Sequence, residues 1–287
     1  MDELVSIVMP CYNDGMYIEE SIKSVYRQTY CAIELIVVDD GSDDEKTLEV
    51  LKRLEHDSFC SLLFTDHKGP SVARNIGIAK ASGKYILPLD SDDIIDPTYI
   101  EKAVDAIEKK PEYGVVYCYA DTFGTINGPW NLPIYSFEQM LRDNIVFVTA
   151  LFYREDWKKV GGFNENMKHG MEDYDFWISI LEIGREIYQI PEVLFHYRIK
   201  EQSRSTLLEE NIDNIKKMYR LIYENHPTFY TRYRDEYALA LRNALIEQVC
   251  SKRVEGGRSG NQGSNKYADY YNELRSKPIL RHFIKKI

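Results

Sequence analysis

Five short runs, "LVSIVMP" (Leu4–Pro10), "ELIVVD" (Glu34–Asp39), "SLLFT" (Ser61–Thr65), "YILPLD" (Tyr85–Asp90) and "GVVYCY" (Gly114–Tyr119), are β-rich, mostly apolar and without strict alternation. Runs of that kind suit strands buried on both faces of a parallel sheet. The intervals carry helical spacing instead: Ile18, Ile22 and Val25; Leu48, Leu51 and Leu54; Val72, Ile76 and Ala79; Ile100, Ala103 and Ile107. Asp96 and Pro97 read as the N-cap and first residue of the fourth helix, and Gly83 as the stop after the third. The order βαβαβαβαβ predicts an α/β fold with an open, doubly wound, mostly parallel sheet of Rossmann-like winding.

Past residue 120 the pattern changes. "YADTFGTINGPWNLPIY" (Tyr119–Tyr135) is rich in turn formers and aromatics, and a helix is expected through Phe176, Ile180 and Leu181. After Ser205 the spacing is helical again, with Ile212, Ile215, Tyr219 and Ile222 on one face and Tyr237, Leu241, Leu245 and Val249 on another. The chain thus divides into a body, 1–205, and a C-terminal helical region, 206–287, interrupted by a glycine and serine loop at 255–266.

A chain of 287 residues, 44% hydrophobic, can bury a substantial core. Its formal net charge of -10 argues against a nucleic-acid partner. Cys11, Cys31, Cys60, Cys118 and Cys250 form no CxxC pair and have no histidine at ligand spacing, so reduced thiols in a cytoplasmic protein are expected. No run is long enough to span a bilayer.

In a doubly wound sheet, ligands bind beyond the carboxyl ends of the strands. The residues falling there are Pro10, Tyr12 and Asn13, then Asp39 in "DDGS", Lys68 in "DHKG", and Asp90, Ser91, Asp92 and Asp93 in "DSDD". Four aspartates within "DSDDIID" repel one another unless a cation, a proton or hydrogen-bond donors intervene. Asp90 and Asp92 share a face in extended chain and could converge on a hard cation such as Mg2+ or Mn2+. An EF-hand frame from Asp90 fails, because Ile95 stands where glycine is needed. No dinucleotide fingerprint or Walker loop follows the first strand. A second acidic cluster, "HGMEDYDFW" (His169–Trp177), reads by itself as the acidic first turn of a helix.

Together "VSIVMPCYN", "ELIVVDDGSDD", "HKGPSVARNIGIAKASGKYILPLDSDD", "VGGFNE" and "EDYDFW" resemble, in order and spacing, the motifs of family 2 glycosyltransferases with the GT-A fold, over roughly Val5 to Ser205. The resemblance implies a nucleotide-sugar donor, usually UDP-linked, Mn2+ or Mg2+ on its diphosphate, a glycan acceptor, and inversion at the anomeric carbon. It makes 1–120 a nucleotide-binding half and 121–205 an acceptor-binding half. It places Pro10, Tyr12, Asn13, Asp39, Lys68, Arg74, Asp90 and Ser91 on the donor side, Asp92 and Asp93 on the metal, and Asp173 as catalytic base beside Glu172.

Lys200 stands where many relatives have a histidine, and could itself meet the diphosphate; Ser179 stands where arginine often follows the second motif. Trp130, Tyr135 and Trp157 are candidates for an acceptor wall. Competing readings are a sugar nucleotidyltransferase and a non-catalytic nucleotide- or glycan-binding module on the same fold. The last segment, "LRSKPILRHFIKKI", carries Arg275, Lys277, Arg281, Lys285 and Lys286 among apolar residues. It suits peripheral contact with the inner face of the cell membrane through residues 275–287, or docking in a homo-oligomer.

Overall fold

The computed structural model describes residues 2–201 and 212–256. The expected alternation is present: β1 (Val5–Cys11), α1 (Ile18–Tyr26), β2 (Ile33–Asp39), α2 (Glu45–Leu54), β3 (Cys60–Phe64), α3 (Pro70–Lys80), β4 (Tyr85–Pro88), a short β5 (Ile94–Ile95), α4 (Tyr99–Lys109) and β6 (Tyr113–Gly124). There follow β7 (Gly128–Pro129), α5 (Phe137–Met140), β8 (Leu151–Tyr153), α6 (Arg154–Val160), α7 (Glu172–Glu182) and β9 (Glu186–Ile199). Three helices complete the described chain: α8 (Ile212–Asn225), α9 (Pro227–Arg232) and α10 (Arg234–Gly256).

The sheet runs β3-β2-β1-β4-β8-β6-β9-β5, with β7 paired to β6. Strands β1 to β4 are parallel, β8 lies antiparallel between β4 and β6, and β6 and β9 are parallel to each other. The fold is therefore α/β with a mostly parallel sheet, as the sequence predicts. Strands β8 and β9 were not foreseen: β8 has three residues, and β9 mixes buried and exposed positions around Pro191, so neither carries a clean period.

Two helix faces differ from expectation. Leu48 is exposed, and α2 packs through Thr47, Val50, Leu51 and Leu54. Helix α3 buries Ala73, Arg74, Gly77 and Ile78, because a Cβ on Gly77 would collide with Val8 and Val38; the glycine lets the helix sit directly on the sheet. Gly83 does not stop α3, which ends at Lys80. A Cβ there would lie 2.5 Å from Ser6 Oγ, so Gly83 is needed for close approach to β1. Asp96 is likewise not the cap of α4: its Oδ1 accepts from Thr98 N at 3.0 Å and the helix begins at Tyr99.

Tyr85, Tyr99, Tyr117, Phe152, Phe176 and Trp177 are among the largest fully buried side chains. Burial of each such group contributes on the order of 2 kcal/mol. The described residues up to Ala240 form one compact unit, which includes α8 and α9, and those from Leu241 a second. On α8 the buried positions are Met218 and Ile222, while Ile212 is exposed. Tyr237 packs on Tyr230, whereas Leu241 is exposed. Helix α10 runs through Gly256, two residues into the expected loop; the rest of that loop and the basic segment 275–287 lie outside the described residues. Cys11, Cys31, Cys60 and Cys118 are free thiols, and among the described residues no helix is long and apolar enough to cross a membrane.

Candidate active site

The loops after β1, β2 and β3 are tied to one another. Asn13, in left-handed backbone with φ 54°, takes Asp43 N on its Oδ1 at 2.9 Å and donates from Nδ2 to Asp43 Oδ1 at 2.7 Å. Asp39, buried at the end of β2, accepts from Ser42 N at 3.2 Å. Its neighbour Asp40 accepts from the backbone of Lys68 and Gly69, each at 2.8 Å. Gly41 (φ 76°) permits this closure, since a Cβ would meet His67 N at 2.8 Å. Tyr12 then stacks on His67 with ring centroids 4.0 Å apart. Pro10 is buried within β1, and the Lys68 residue is exposed beside this stack. Polar backbone and an aromatic face thus line one end of the sheet.

The "DSDD" loop answers its own charge with cations from distant parts of the chain. Asp90 Oδ1 pairs with the buried Arg74 guanidinium at 2.6 Å, and the other arm of Arg74 reaches Glu172 Oε1 at 2.9 Å. Arg74 Nε is buried with no hydrogen-bond partner among the described residues. Burial opposes the charge on Arg74, but Asp90 and Glu172 outweigh it and raise its pKa. Ser91 Oγ donates to Asp14 Oδ2 at 2.8 Å. Lys200 Nζ lies between two acids, 3.0 Å from Asp14 Oδ1 and 2.6 Å from Asp92 Oδ2. Burial again opposes its charge, and Asp92 and Asp14 prevail, so its pKa is raised. Asp93 is buried, accepts from Arg198 N at 2.8 Å, and is pushed well above the usual carboxylate range by burial and then by Asp92 and Asp90. The Arg198 side chain donates to the Asp92 carbonyl at 2.6 Å and to Glu20 at 2.6 Å, while packing on Tyr17 and Phe123.

The residues implied as metal ligands do not present an oxygen set for a divalent ion in this arrangement. Asp92 faces an ammonium, Asp93 an amide and Asp90 a guanidinium. Among the described residues no three acidic, histidine or cysteine side chains converge as a metal site.

The second acidic cluster opens α7. Met171 precedes the helix in left-handed backbone (φ 61°), and Tyr174 OH and Trp177 Nε1 anchor the helix by donating to the carbonyls of Met140 and Val146 at 2.7 and 2.9 Å. Glu172 is turned to Arg74. Asp173 is pushed up to about 6 by burial and then by the Glu172 carboxylate, against opposing bonds from Asn144 and Tyr174 N. Asp175 faces the other way, toward Asn225 Nδ2 at 2.7 Å and His226 Nε2 at 3.3 Å, and Glu182 takes His226 Nδ1 at 3.0 Å. Ser179 donates to the Asp175 carbonyl.

The arrangement brings together Arg74, Asp90 and Glu172, and separately Ser91, Asp92, Asp93 and Lys200. Asp40 belongs to the "DDGS" strand-end run but was given no role, and sequence reasoning missed Asp14, Arg198 and His226; of these only Asp14 carried a signal, falling soon after β1. The aromatic candidates for an acceptor wall pack into the fold: Trp157 Nε1 donates to Asn75 Oδ1 at 3.1 Å, Trp130 packs on Phe147 and Tyr197, and Tyr135 on Tyr117. Asn75 also holds Phe163 through its backbone N and O, joining the "ARN" and "GGF" motifs.

Residues 6–164 match the profile described as Glycosyl transferase family 2. An uncharacterized glycosyltransferase of Haemophilus influenzae is 31% identical over 239 residues, covering 76% of this chain and 72% of that one. The chondroitin synthase of Escherichia coli is 32% identical over 186 residues, 63% of this chain and 27% of the synthase. Among solved structures, S. aureus TarS 1-349 in complex with UDP-GlcNAc superposes with a TM-score of 0.64 at 21% identity, over 77% of this chain and 66% of that one. The mannosyltransferase PcManGT from Pyrobaculum calidifontis, in complex with GDP-Man and Mn2+, gives 0.62 at 19% identity, over 99% and 83%. The chain belongs to glycosyl transferase family 2 and has the GT-A fold. Glycosyl transfer is therefore the class of chemistry to which the chain belongs.

Proposed function

We propose that the chain moves a sugar from a nucleotide donor, UDP-linked, to a carbohydrate hydroxyl with inversion, in the assembly of a polysaccharide or surface glycan. The observation that carries this reading is the Arg74 bridge, which holds a strand-end aspartate against the acidic turn of α7. Donor and acceptor chemistry then meet at this bridge, with residues 1–120 as the donor half and 121–205 as the acceptor half. The relatedness to chondroitin synthase and the likeness to TarS with UDP-GlcNAc support the substrate classes.

On this reading the base stacks near Tyr12, and Asp39 accepts from an imide N–H of the base. Arg74 fixes Asp90 on the donor side by pairing with it and with Glu172. Asp173 takes the acceptor hydroxyl proton as the oxygen attacks the anomeric carbon from the face opposite the leaving group; the bond to the nucleoside diphosphate breaks and its oxygen keeps the electron pair. A base with pKa about 6 is mostly ionised at neutral pH yet basic enough to accept a proton in the transition state. Lys200 supplies positive charge to the departing diphosphate. Mn2+ or Mg2+ would reach Asp92 only once Lys200 had moved away.

The test is Asp173→Asn, assayed for sugar transfer and for UDP binding by calorimetry. Retained binding with turnover reduced roughly a hundredfold or more is expected from loss of a general base. Undiminished turnover would remove Asp173 from the mechanism.

A further inference from the structure

The "DSDD" loop and Asp14 face a cation that belongs to the chain itself. Lys200 follows directly on β9, and the end of that strand is fixed. Ile199 O accepts from Thr125 N and Thr125 Oγ1, each at 3.0 Å, and Gly124 (φ 104°) lets the two strands close, since a Cβ there would lie 2.6 Å from Ile199 O. One residue earlier, Arg198 is held by Asp92 O, Asp93 and Glu20. Lys200 is thus aimed from a rigid base. Its Nζ sits between Asp14 and Asp92, 5.3 Å from the centre of the Tyr17 ring, with the side chain only 22% exposed. Asp14 is oriented for this contact by Ser91 Oγ on its other oxygen.

A solvated surface lysine has no such enclosure; exposed ion pairs are open to water and make one loose contact. Here one ammonium meets two carboxylates from the β1–α1 and β4–β5 loops. We infer that Lys200 is the resident cation of the donor site: it fills the seat between Asp14 and Asp92 and keeps divalent ions out of the free protein. Asp14 thereby becomes a member of the site. The inference rests on the donor-site reading of Asp92, but its test needs no donor and no turnover.

Mn2+ binding to the full chain without nucleotide, followed by electron paramagnetic resonance of free Mn2+ and by the Mn2+-dependent shift in Tm, decides it. Lys200→Met is expected to bind Mn2+ at least tenfold more tightly than the wild type and to gain a Mn2+-dependent rise in Tm. Lys200→Arg, which keeps a cation, should gain neither. Adding Asp14→Asn to Lys200→Met should abolish the gain. Equal Mn2+ affinity in wild type and Lys200→Met, or a gain that survives Asp14→Asn, would overturn the inference. Lys200→Gln serves as a second neutral variant if the methionine protein does not fold, with the same outcomes. Loss of sugar transfer in the wild type would instead count against the proposed function and leave this result standing.

Discussion

Two acidic clusters of similar composition share one arginine and differ in their other partners. The carboxylates of "DSDD" meet cations and amides drawn from α3 and from the end of β9: Arg74, Arg198 and Lys200. In the first turn of α7, Glu172 uses the second arm of that same arginine and Asp173 makes no ion pair among the described residues, so burial and the adjoining carboxylate raise Asp173 to about 6. Within "DSDD", burial raises Asp92 and Asp93 as well, and the acid to set against Asp173 is Asp90, which the Arg74 guanidinium clamps and which is suited to holding charge in place. An acid with a raised pKa is suited to accepting a proton. Chemistry of the side chain does not separate the two roles; environment does.

The sharpest way to break the contrast is at Asp173. Asp173→Asn should lower turnover roughly a hundredfold to ten-thousandfold while the fold persists. Replacing Arg74 should blur both clusters at once. Arg74→Met leaves Asp90 and Glu172 facing one another without their shared cation, and a loss of about 3 kcal/mol in denaturant unfolding is expected from stranding buried charge. A loss below ~1 kcal/mol would mean that the bridge is not structural.

The pH dependence sharpens the same point. The folded pKa of Asp173 lies above its unfolded value of 3.8, so the folded protein binds more protons and this residue's contribution to stability declines as pH rises from about 4 through 6. Asp173→Asn should therefore raise Tm relative to wild type at pH 8 but not at pH 4, while wild-type turnover should fall as pH drops through about 6. A Tm difference independent of pH would contradict the raised pKa.

The smallest expected effect lies on the far side of α7. His226 sits between Asp175 and Glu182, and although burial opposes its charge these two acids raise its pKa. Its contribution to stability is complete below its unfolded pKa and lost as pH rises through the folded one. His226→Gln should cost about 1 to 2 kcal/mol at pH 6, with the gap to wild type narrowing at higher pH and donor binding unaffected. A pH-independent gap would assign His226 to packing alone.

Much of the first 120 residues was legible because β1, β2 and β4 are continuous apolar runs, and such a run has few ways to be buried except inside a parallel sheet, whereas β3, at the sheet edge, is only partly buried. The acids were legible because they fall at strand ends. Arg74 and Lys200 were named through the family resemblance, but which acids they pair with was not legible. Arg74 reads as an ordinary position of an amphipathic helix, and its burial follows from Gly77 drawing α3 onto the sheet. Lys200 reads as a loop residue, and it meets Asp92 because β9 lies parallel on β6 and ends beside Gly124.

By itself, then, the sequence determined the alternation of strands and helices, the family, and which carboxylates crowd one edge, since these depend on local pattern and spacing. Tertiary structure alone decided which acid is paired and which is left basic. Ion pairing and desolvation act over a few ångströms between residues far apart in the chain, and only the closure of the sheet brings them within that range.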